Sequence, residues 1–341
     1  MVDTTFRGRR AAAIENDVLR VTVLREGGHV AEIFDKATGV NPLWTPPWPS
    51  IEPSQYDSAR HPEYGGGIDA RLLAGIMGQN LCLDVFGAPS DEEFAAGVGV
   101  HGESSVAPYE IEGGGSSLTM RATFPLAGLA FERTLELRGR SVRIAESVTN
   151  LGATDRPIAW TQHVSLGPPF LAPGRTEFRA SAGRSKVFEG QFGADDYLTA
   201  GAEFDWPMAG GADLRIFSGA PRSSAYTAHR MDAAGARAYF TAWSPEDRLA
   251  FGYSWKTADF PWMGIWEENR SRTHAPWNGV TIARGMEFGV SPMPESRRAM
   301  IDRGGLFGAP VYRWLPARAT ASVEYWAGTA TADAIPERME Y

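Results

Sequence analysis

The chain has 341 residues, 43% of them hydrophobic, and is long enough to bury a sizeable core as one large β domain or two ordinary domains. Its formal net charge of −8 argues against nucleic acid and against a polybasic membrane surface as partners. The single cysteine, Cys82, excludes an internal disulfide framework and fits a small buried hydrophobe better than a nucleophile.

No targeting or membrane-spanning segment is recognisable. The first residues, Met1–Arg7, have no apolar signal core. No stretch approaches the roughly 20 apolar residues that a membrane helix needs. We therefore expect a soluble, cytoplasmic protein without membrane partners.

Apolar and polar residues alternate with a period of two through much of the chain. Clear runs cover residues 19–23, 118–124, 129–137, 142–148, 249–255 and 323–325. Glycine-containing turns separate these runs, and 38 Gly and 23 Pro disfavour long helices. Such alternation predicts strands, and many short strands between glycine turns predict a sandwich or a barrel.

Only one short helix is predicted. Ser90 and Glu93 have the spacing of a capping box, and Gly97 can end the helix. No internal repeat, low-complexity tract or linker interrupts the chain. We therefore expect a single all-β domain over residues 1–341.

Residues 41–67 break the strand pattern. Six prolines prevent regular sheet pairing there, and four aromatic residues are interleaved, among them Trp48 and Tyr56. A long loop in a compact domain is usually functional or disordered, and the aromatic residues argue against disorder. Two interpretations carry equal weight: the rings pin the loop onto the sheet, or Trp48 and Tyr56 form a wall of a binding cleft.

Nucleotide and metal sites are not indicated. Residues 97–102 fit G-x-G-x-x-G, which in a dinucleotide site leaves a strand and opens a helix. Here residues 103–108 and then a strand-like stretch follow, so the dinucleotide fingerprint is rejected. The six histidines form no H-x-x-x-H or H-E-x-x-H pair. We expect neither a metal nor another cofactor.

A histidine and a glutamate carry the main catalytic hypothesis. His163 lies at the end of a strand pattern, within residues 160–167, and Glu287 lies within a largely apolar strand pattern far downstream. An unpaired buried carboxylate is costly, so Glu287 needs a partner or a function. A histidine and a glutamate held at the ends of a sheet can share acid–base work on one substrate. Taken alone, His163 would more often be a satisfied sheet histidine.

Aromatic residues add a hint of a hydroxyl-rich ligand. The stretch Phe260–Arg270 places Trp262 and Trp266 beside Glu267, so that flat rings and hydrogen-bonding groups alternate. Aromatic faces pack on the C–H faces of sugars, although most tryptophans simply belong to a core. A strand that ends in a solvated acidic turn explains the same pattern without a ligand.

The order of these segments resembles that of the galactose mutarotase-like superfamily of aldose 1-epimerases. Residues 26–33 are similar to the family's early glycine turn and strand, and Val100–Gly102 to its His-Gly step. Residues 148–152 followed by 161–166 are similar to the segment that carries a catalytic histidine. Glu287 matches the glutamate of a late strand, and residues 315–326 match the closing strand.

The resemblance implies a fold and a set of roles. The fold would be a large twisted antiparallel β-sandwich with its site in a cleft on a concave sheet face. Glu287 would act as general base on the anomeric hydroxyl, His163 as general acid on the ring oxygen, and His101 as a second, substrate-binding histidine. Asn80 matches the asparagine of an Asn-Arg pair, although no arginine follows it here. Glu267 or Glu268 would replace a family aspartate that has no clear counterpart.

The sequence thus predicts an isomerase of the aldose 1-epimerase type that acts on a small sugar. Two alternatives stay open. One is a carbohydrate-binding protein without catalysis on the same scaffold, because a fold does not determine a function. The other is a sugar-phosphate epimerase, which would need a basic cluster in the cleft. The available arginines for such a cluster are Arg60, Arg71 and Arg270.

Overall fold

The computed structural model describes residues 1–341 and is built almost entirely from strands. Strands hold 45% of the residues and helices 6%, which confirms the all-β prediction. In chain order the strands are β1 (Val2–Phe6), β2 (Arg9–Glu15), β3 (Leu19–Leu24), β4 (Val30–Asp35), β5 (Gln79–Leu83), β6 (Glu110–Gly114), β7 (Ser117–Phe124), β8 (Leu129–Arg138), β9 (Ser141–Asn150), β10 (Arg156–Ile158), β11 (Trp160–Leu166), β12 (Glu177–Ala180), β13 (Ala182–Val187), β14 (Glu203–Asp205), β15 (Met208–Ala209), β16 (Ala212–Asp213), β17 (Ser223–Met231), β18 (Arg237–Ser244), β19 (Leu249–Lys256), β20 (Trp262–Asn269), β21 (Ile282–Gly289), β22 (Gly305–Leu306), β23 (Ala309–Pro310), β24 (Arg313–Leu315) and β25 (Thr320–Thr331). Each of the six alternating runs predicted from the sequence lies in a strand.

Helices are short and few. They are α1 (Ala70–Leu73), α2 (Asp91–Ala95) and α3 (Arg297–Arg303), with 3-10 turns at Pro53–Gln55 and Pro62–Tyr64. At the start of α2, Ser90 accepts from the Glu93 backbone and the Glu93 side chain accepts from the Ser90 backbone, so the predicted capping box is present. None of the helices is long and apolar enough to cross a membrane.

Two antiparallel sheets form the two layers of the sandwich. The large sheet has eleven strands in the order β1-β2-β3-β4-β5-β11-β21-β20-β17-β13-β14. The small sheet has eight strands in the order β12-β18-β19-β25-β9-β8-β7-β6. Strands that are distant in sequence thus become neighbours, and β11 lies between β5 and β21 at the centre of the large sheet.

The main core fills the space between the two sheets. It is a cluster of 50 buried apolar residues drawn from both layers, including Leu81 and Met286 of the large sheet and Leu135 and Phe240 of the small sheet. We call the face of the large sheet that contacts this core the inner face. Burial of this much apolar surface is the dominant stabilising contribution to such a fold.

The opposite, outer face of the large sheet carries a second apolar cluster of 18 buried residues. It includes Trp262 and Trp266 of β20, whose neighbours Met263 and Ile265 point to the main core. Because successive side chains of a strand alternate between faces, β11, β20 and β21 are buried on both sides. Apolar residues therefore occur on both faces of β20 and β21, and these two strands lack a clear alternation.

The proline-aromatic segment at residues 41–67 lies against this outer cluster, with no strand of its own. Trp44 is 2% exposed and Trp48 packs on it, with ring centroids 5.6 Å apart. Arg9 of β2 anchors the segment through an ion pair with Glu52 at 2.9 Å. The prediction that proline keeps this segment out of regular sheet pairing is confirmed.

Candidate functional site

His163 and Glu287 meet on the outer face of the large sheet. They lie on the paired strands β11 and β21, and both side chains point away from the main core. His163 Nε2 is 3.0 Å from Glu287 Oε1. The two atoms are close but lack the alignment of a hydrogen bond, and Glu287 Oε1 has no hydrogen-bond partner. Residues that are 124 positions apart in the sequence are thus brought together, as the acid–base hypothesis requires.

A glycine lets the Glu287 carboxylate approach the imidazole. Gly285 lies two residues earlier on the same face of β21, and a Cβ atom built there would be 2.4 Å from Glu287 Oε1 and 3.2 Å from the Cβ of Trp266. Any other residue would therefore displace the carboxylate or the indole. The turn that carries His101 also depends on a glycine. A Cβ on Gly102 would be 2.4 Å from the Leu83 carbonyl oxygen of β5. Gly102 thus allows the backbone of β5 to come close to the turn.

His101 completes a group of two histidines and a carboxylate. Its ring centroid lies 4.9 Å from that of His163, and its backbone has a positive φ of 64°. Asn80 Nδ2 lies 3.0 Å from His101 Nδ1 and 2.9 Å from Ser105 Oγ. His163 has a separate partner, because its Nδ1 lies 3.1 Å from Ser165 Oγ. The structure thus places the predicted residues Asn80, His101, His163 and Glu287 together.

Aromatic rings form one side of the site. The Trp266 ring lies 5.8 Å from His163 and 6.0 Å from Trp277, measured between centroids. Trp277 in turn packs on Trp48 at 5.2 Å. Counted outward from His163, Trp48 is therefore the third ring, after Trp266 and Trp277. Its indole nitrogen already donates to the Leu73 carbonyl at 2.9 Å.

Three of the predicted ligand-binding residues lie elsewhere or are already engaged. Glu267 points to the inner face, where it accepts from Ser223 at 2.7 Å, so its proposed contact with the same ligand as His163 has no geometric support. The reason is the strand period of two, which sends adjacent residues to opposite faces. Trp262 is fully buried on the outer face and donates to the Pro310 carbonyl. Tyr56 packs within its own loop, against His61 and Tyr64.

Buried polar atoms without a partner gather around the pair. Ten such side-chain atoms occur in the chain, and five of them belong to the site. These five are Asn80 Oδ1, Thr161 Oγ1, Trp266 Nε1, Trp277 Nε1 and Glu287 Oε1. Since buried polar groups in proteins are nearly always hydrogen-bonded, a cluster of unsatisfied ones indicates a place for ligand or water.

The charge around the site is balanced or negative. Arg272 packs over the rings of Trp266 and Trp277, but Glu268 pairs with it at 2.9 Å. Asp69 and Asp196 add further negative charge near the same guanidinium. Burial lowers the pKa of His101 well below its ordinary value, and the nearby His163 and His29 rings lower it further. His101 is therefore neutral near pH 7.

The arginines named for a phosphate site do not join this group. Arg60 is exposed in the 41–67 segment, Arg71 donates to the Pro53 carbonyl, and Arg270 donates to the side chain of Asn269. None of them forms a hydrogen bond or ion pair with His163, Glu287 or His101. No group of three or more His, Cys, Asp or Glu side chains is arranged to hold a metal ion.

Sequence reasoning missed Thr161, Ser165, Trp277 and Gly285 as parts of the site. Trp277 lies near Pro276 and Gly279, and several other tryptophans also have proline or glycine nearby, so this pattern did not single it out. Thr161 and Ser165 are each two residues from His163, so the strand period alone places them on the same face. That signal was available once His163 was chosen, whereas the role of Gly285 depends on a distance between side chains.

Comparison with known proteins supports the fold. No protein-family model matches the chain, and no curated protein sequence matches it. Among solved structures, a candidate aldose 1-epimerase from Klebsiella pneumoniae is similar at a TM-score of 0.67 and 14% identity, over 96% of this chain and 80% of that one. A galactose mutarotase-like protein from Clostridium acetobutylicum gives a TM-score of 0.63 and 12% identity, over 97% and 98%.

A third structure, a galactose mutarotase-like protein from Lactobacillus casei, gives a TM-score of 0.60 and 14% identity, over 94% of this chain and all of that one. These likenesses show that the chain has the galactose mutarotase-like sandwich fold. The predicted resemblance and the predicted fold are confirmed. At such low identities the similarity concerns the fold and leaves the activity to be argued from the site.

Proposed function

We propose that the chain interconverts the anomers of a neutral aldose by acid–base-assisted ring opening. The observation that carries this proposal is the His163–Glu287 contact of 3.0 Å, surrounded by buried polar atoms that have no partner. A hydroxyl-rich ligand can satisfy donors such as the indole N–H groups and acceptors such as Asn80 Oδ1. The aromatic rings beside them suit the C–H face of a sugar.

The reaction needs one base and one acid, and the pair supplies both. Glu287 accepts the proton of the C1 hydroxyl while the bond between C1 and the ring oxygen breaks and a C1 carbonyl forms. Protonated His163 donates its proton to the ring oxygen. This converts the ring oxygen into a hydroxyl group of the open-chain sugar. After rotation about the C1–C2 bond, that hydroxyl attacks the other face of the C1 carbonyl and returns its proton to His163. The C1 oxygen regains a proton from Glu287.

Burial of the pair supports this role. His163 is 7% exposed and Glu287 2% exposed, so little water reaches the reacting atoms once a ligand is present. In such an environment electrostatic interactions are stronger than in water. His163 and Glu287 are both held at the position where we propose that the ring oxygen and the C1 hydroxyl bind. His101 stays neutral and offers a hydrogen bond to the ligand.

The charges near the site favour a neutral sugar over a sugar phosphate. A phosphate monoester would need a free guanidinium or ammonium. Arg272, the arginine packed against the site's rings, is already paired with Glu268 and is close to Asp69 and Asp196. An added phosphate would therefore face more negative than positive charge.

Polarimetry tests the proposal. Glu287→Gln and His163→Asn should each slow the equilibration of a freshly dissolved α-aldose by about 10²–10⁴-fold, the usual contribution of one general acid or base. Glu110→Gln, an exposed change on the small sheet, is the matched control and should equilibrate sugar at the wild-type rate. If both site variants equilibrate a panel of hexoses and pentoses as fast as the wild type, the assignment fails.

The second candidate function is sugar binding without turnover. The unpaired indole N–H groups support it, because a bound sugar would satisfy them whether or not it reacts. The two functions separate on rate and pH. An enzyme with this pair should show a bell-shaped dependence of kcat/KM on pH. A binder should show a saturable thermal shift with sugar and no equilibration above that of buffer.

A further inference from the structure

A directional chain of hydrogen bonds runs from the backbone of β5 to the ring of His101. Ser105 Oγ lies 2.8 Å from the Leu81 carbonyl oxygen. Asn80 Nδ2 lies 2.9 Å from the same hydroxyl oxygen and 3.0 Å from His101 Nδ1. Asn80 and Ser105 are 0% exposed, so water cannot replace these contacts without rearrangement.

The direction of each bond follows from the one before it. A backbone carbonyl can only accept, so the single proton of the Ser105 hydroxyl points to Leu81. Ser105 must then accept from Asn80, which places the NH₂ group of the amide on that side. The second proton of this NH₂ group points to His101 Nδ1, which therefore presents a lone pair.

We propose that Asn80 is a positioning residue that keeps His101 as the neutral tautomer with its proton on Nε2. In this form His101 can only donate from Nε2, and its Nδ1 cannot gain a proton without losing the bond from Asn80. The inference deepens the proposed function, because it assigns His101 as a fixed hydrogen-bond donor to the sugar. His163 then remains the histidine that changes its protonation.

The surroundings of His101 agree with a neutral ring. The titratable groups that face it are His163, 4.9 Å away between ring centroids, and His29. His29 is fixed in a similar way, because its Nε2 lies 3.0 Å from the Ser105 carbonyl oxygen and must donate to it. A second positive charge beside a protonated His163 would be repelled. A fixed neutral His101 avoids that cost.

This assignment changes the predicted role of Asn80. Its NH₂ group is fully used by Ser105 and His101, so only Oδ1, which has no partner, is free to accept from a ligand hydroxyl. Loss of Asn80 should therefore affect the state of His101 as well as any direct contact with the sugar. A residue that served only as a ligand contact would leave the His101 ring unchanged.

Long-range ¹H–¹⁵N correlation spectra of the ¹⁵N-histidine-labelled full chain, recorded without sugar near pH 7.5, test the inference. The His101 signals are assigned by their loss in His101→Gln. We expect a protonated Nε2 and an unprotonated Nδ1 in the wild type. A protonated Nδ1 in the wild type would overturn the proposal, and this test does not need any variant of Asn80 to fold.

Asn80→Asp supplies the second measurement. Its carboxylate can only accept, so Nδ1 of His101 should become protonated and the ring should titrate at higher pH than in the wild type. Asn16→Asp adds the same charge in a remote turn between β2 and β3 and should leave the His101 spectrum unchanged. An unchanged His101 spectrum in folded Asn80→Asp would contradict the positioning role.

Activity gives a separate readout. If the chain equilibrates sugars, Asn80→Asp should lower kcat and shift the pH profile of kcat/KM, whereas a lost ligand contact alone would raise KM at an unchanged profile. If the chain equilibrates no sugar at all, the proposed function fails. The tautomer of His101 can still be read from the spectrum, so the two failures are distinguishable.

Discussion

Two groups of buried polar residues on opposite faces of the large sheet differ in how their polar atoms are paired, and adjacent residues of β11 show the difference. Gln162 points to the inner face and accepts from Arg133 at 3.0 Å, while its own amide donates to Glu146 at 2.7 Å. Glu146 also accepts from Trp160 and from Tyr325. His163 points to the outer face, among Thr161, Glu287 and two indoles that lack partners.

We infer that the inner-face network contributes mainly to stability and the outer-face group mainly to function. A fully satisfied buried network fixes one arrangement of the core, whereas an unsatisfied one is costly until something binds. The inner-face network joins the small sheet to the large sheet behind the site through hydrogen bonds. The outer-face atoms without partners lie where we propose that the sugar binds.

The largest predicted effect is on the inner face. Glu146→Gln removes the charge that compensates Arg133, which is 1% exposed and 2.7 Å away. It also replaces one of the two oxygens that accept from four donors, so two of these donors lose their acceptor. Breaking a buried pair in this way costs about 3–5 kcal/mol of stability. Urea unfolding measures the loss. A change below about 1 kcal/mol would mean that the network does not stabilise the fold.

The next effect concerns geometry on the outer face. Gly285→Ala adds a Cβ that would lie 2.4 Å from Glu287 Oε1, so the carboxylate must move. A displacement of about 1 Å can cost up to about 10²-fold in rate, although no functional group is removed. Gly114→Ala in β6 is the matched control, because nothing lies within 4 Å of its added Cβ. Equal kcat values for Gly285→Ala and the control would contradict the positioning of Glu287 by this glycine.

The third effect is a pH dependence from the inner face. Burial lowers the pKa of His229 to about 3, and both ring nitrogens are bonded to hydroxyl groups. The unfolded chain binds a proton near the ordinary value of about 6.5 while the folded chain does not. His229 therefore contributes stability that is complete above pH 6.5 and is lost as pH falls toward 3, by about 1.4 kcal/mol per pH unit.

His229→Gln tests this slope by urea unfolding at pH 7, 6 and 5. The variant should be less stable than the wild type at pH 7, and the difference should shrink as the pH falls. Parallel stability curves would show that His229 does not titrate in this way.

The smallest effect compares two tryptophans. Trp277→Phe keeps a ring but removes an N–H group that has no partner, so stability should change little and sugar affinity should fall by about 1 kcal/mol. Trp48→Phe removes an N–H group that donates to Leu73, so stability should fall by about 1 kcal/mol at unchanged affinity. Thermal shift and sugar titration on both variants separate the two roles. The opposite assignment of effects would place Trp48, and not Trp277, at the ligand.

Much of the fold was predictable from period-two alternation and turn residues. Strands such as β7 and β8 are exposed on one side, so the pattern is clear in the sequence. The central strands β11, β20 and β21 are buried on both faces, so solvent exposure does not mark which of their side chains point outward. For that reason the sequence could not separate Glu267 from Glu268 on β20.

The site was partly predictable because its acid–base residues carry chemistry that a core seldom needs. His163 and Glu287 could be singled out as unusual residues in strand patterns, and the family resemblance paired them. Contributions that depend on close contact could not be predicted: the space above Gly285, the direction of the Asn80 amide and the free N–H of Trp277. These depend on which strands pair and in which register, and that is a property of the whole fold.

The most direct test of the account measures anomer exchange per folded molecule in Glu287→Gln and Glu146→Gln side by side, at saturating aldose and with the folded fraction known from unfolding curves. We expect Glu287→Gln to retain wild-type stability within about 1 kcal/mol and to lose about 10²–10⁴-fold in rate. Folded Glu146→Gln should exchange anomers within a few-fold of the wild-type rate in spite of its lower stability. Wild-type exchange in Glu287→Gln, or an equal loss per folded molecule in both variants, would contradict the division between the two faces.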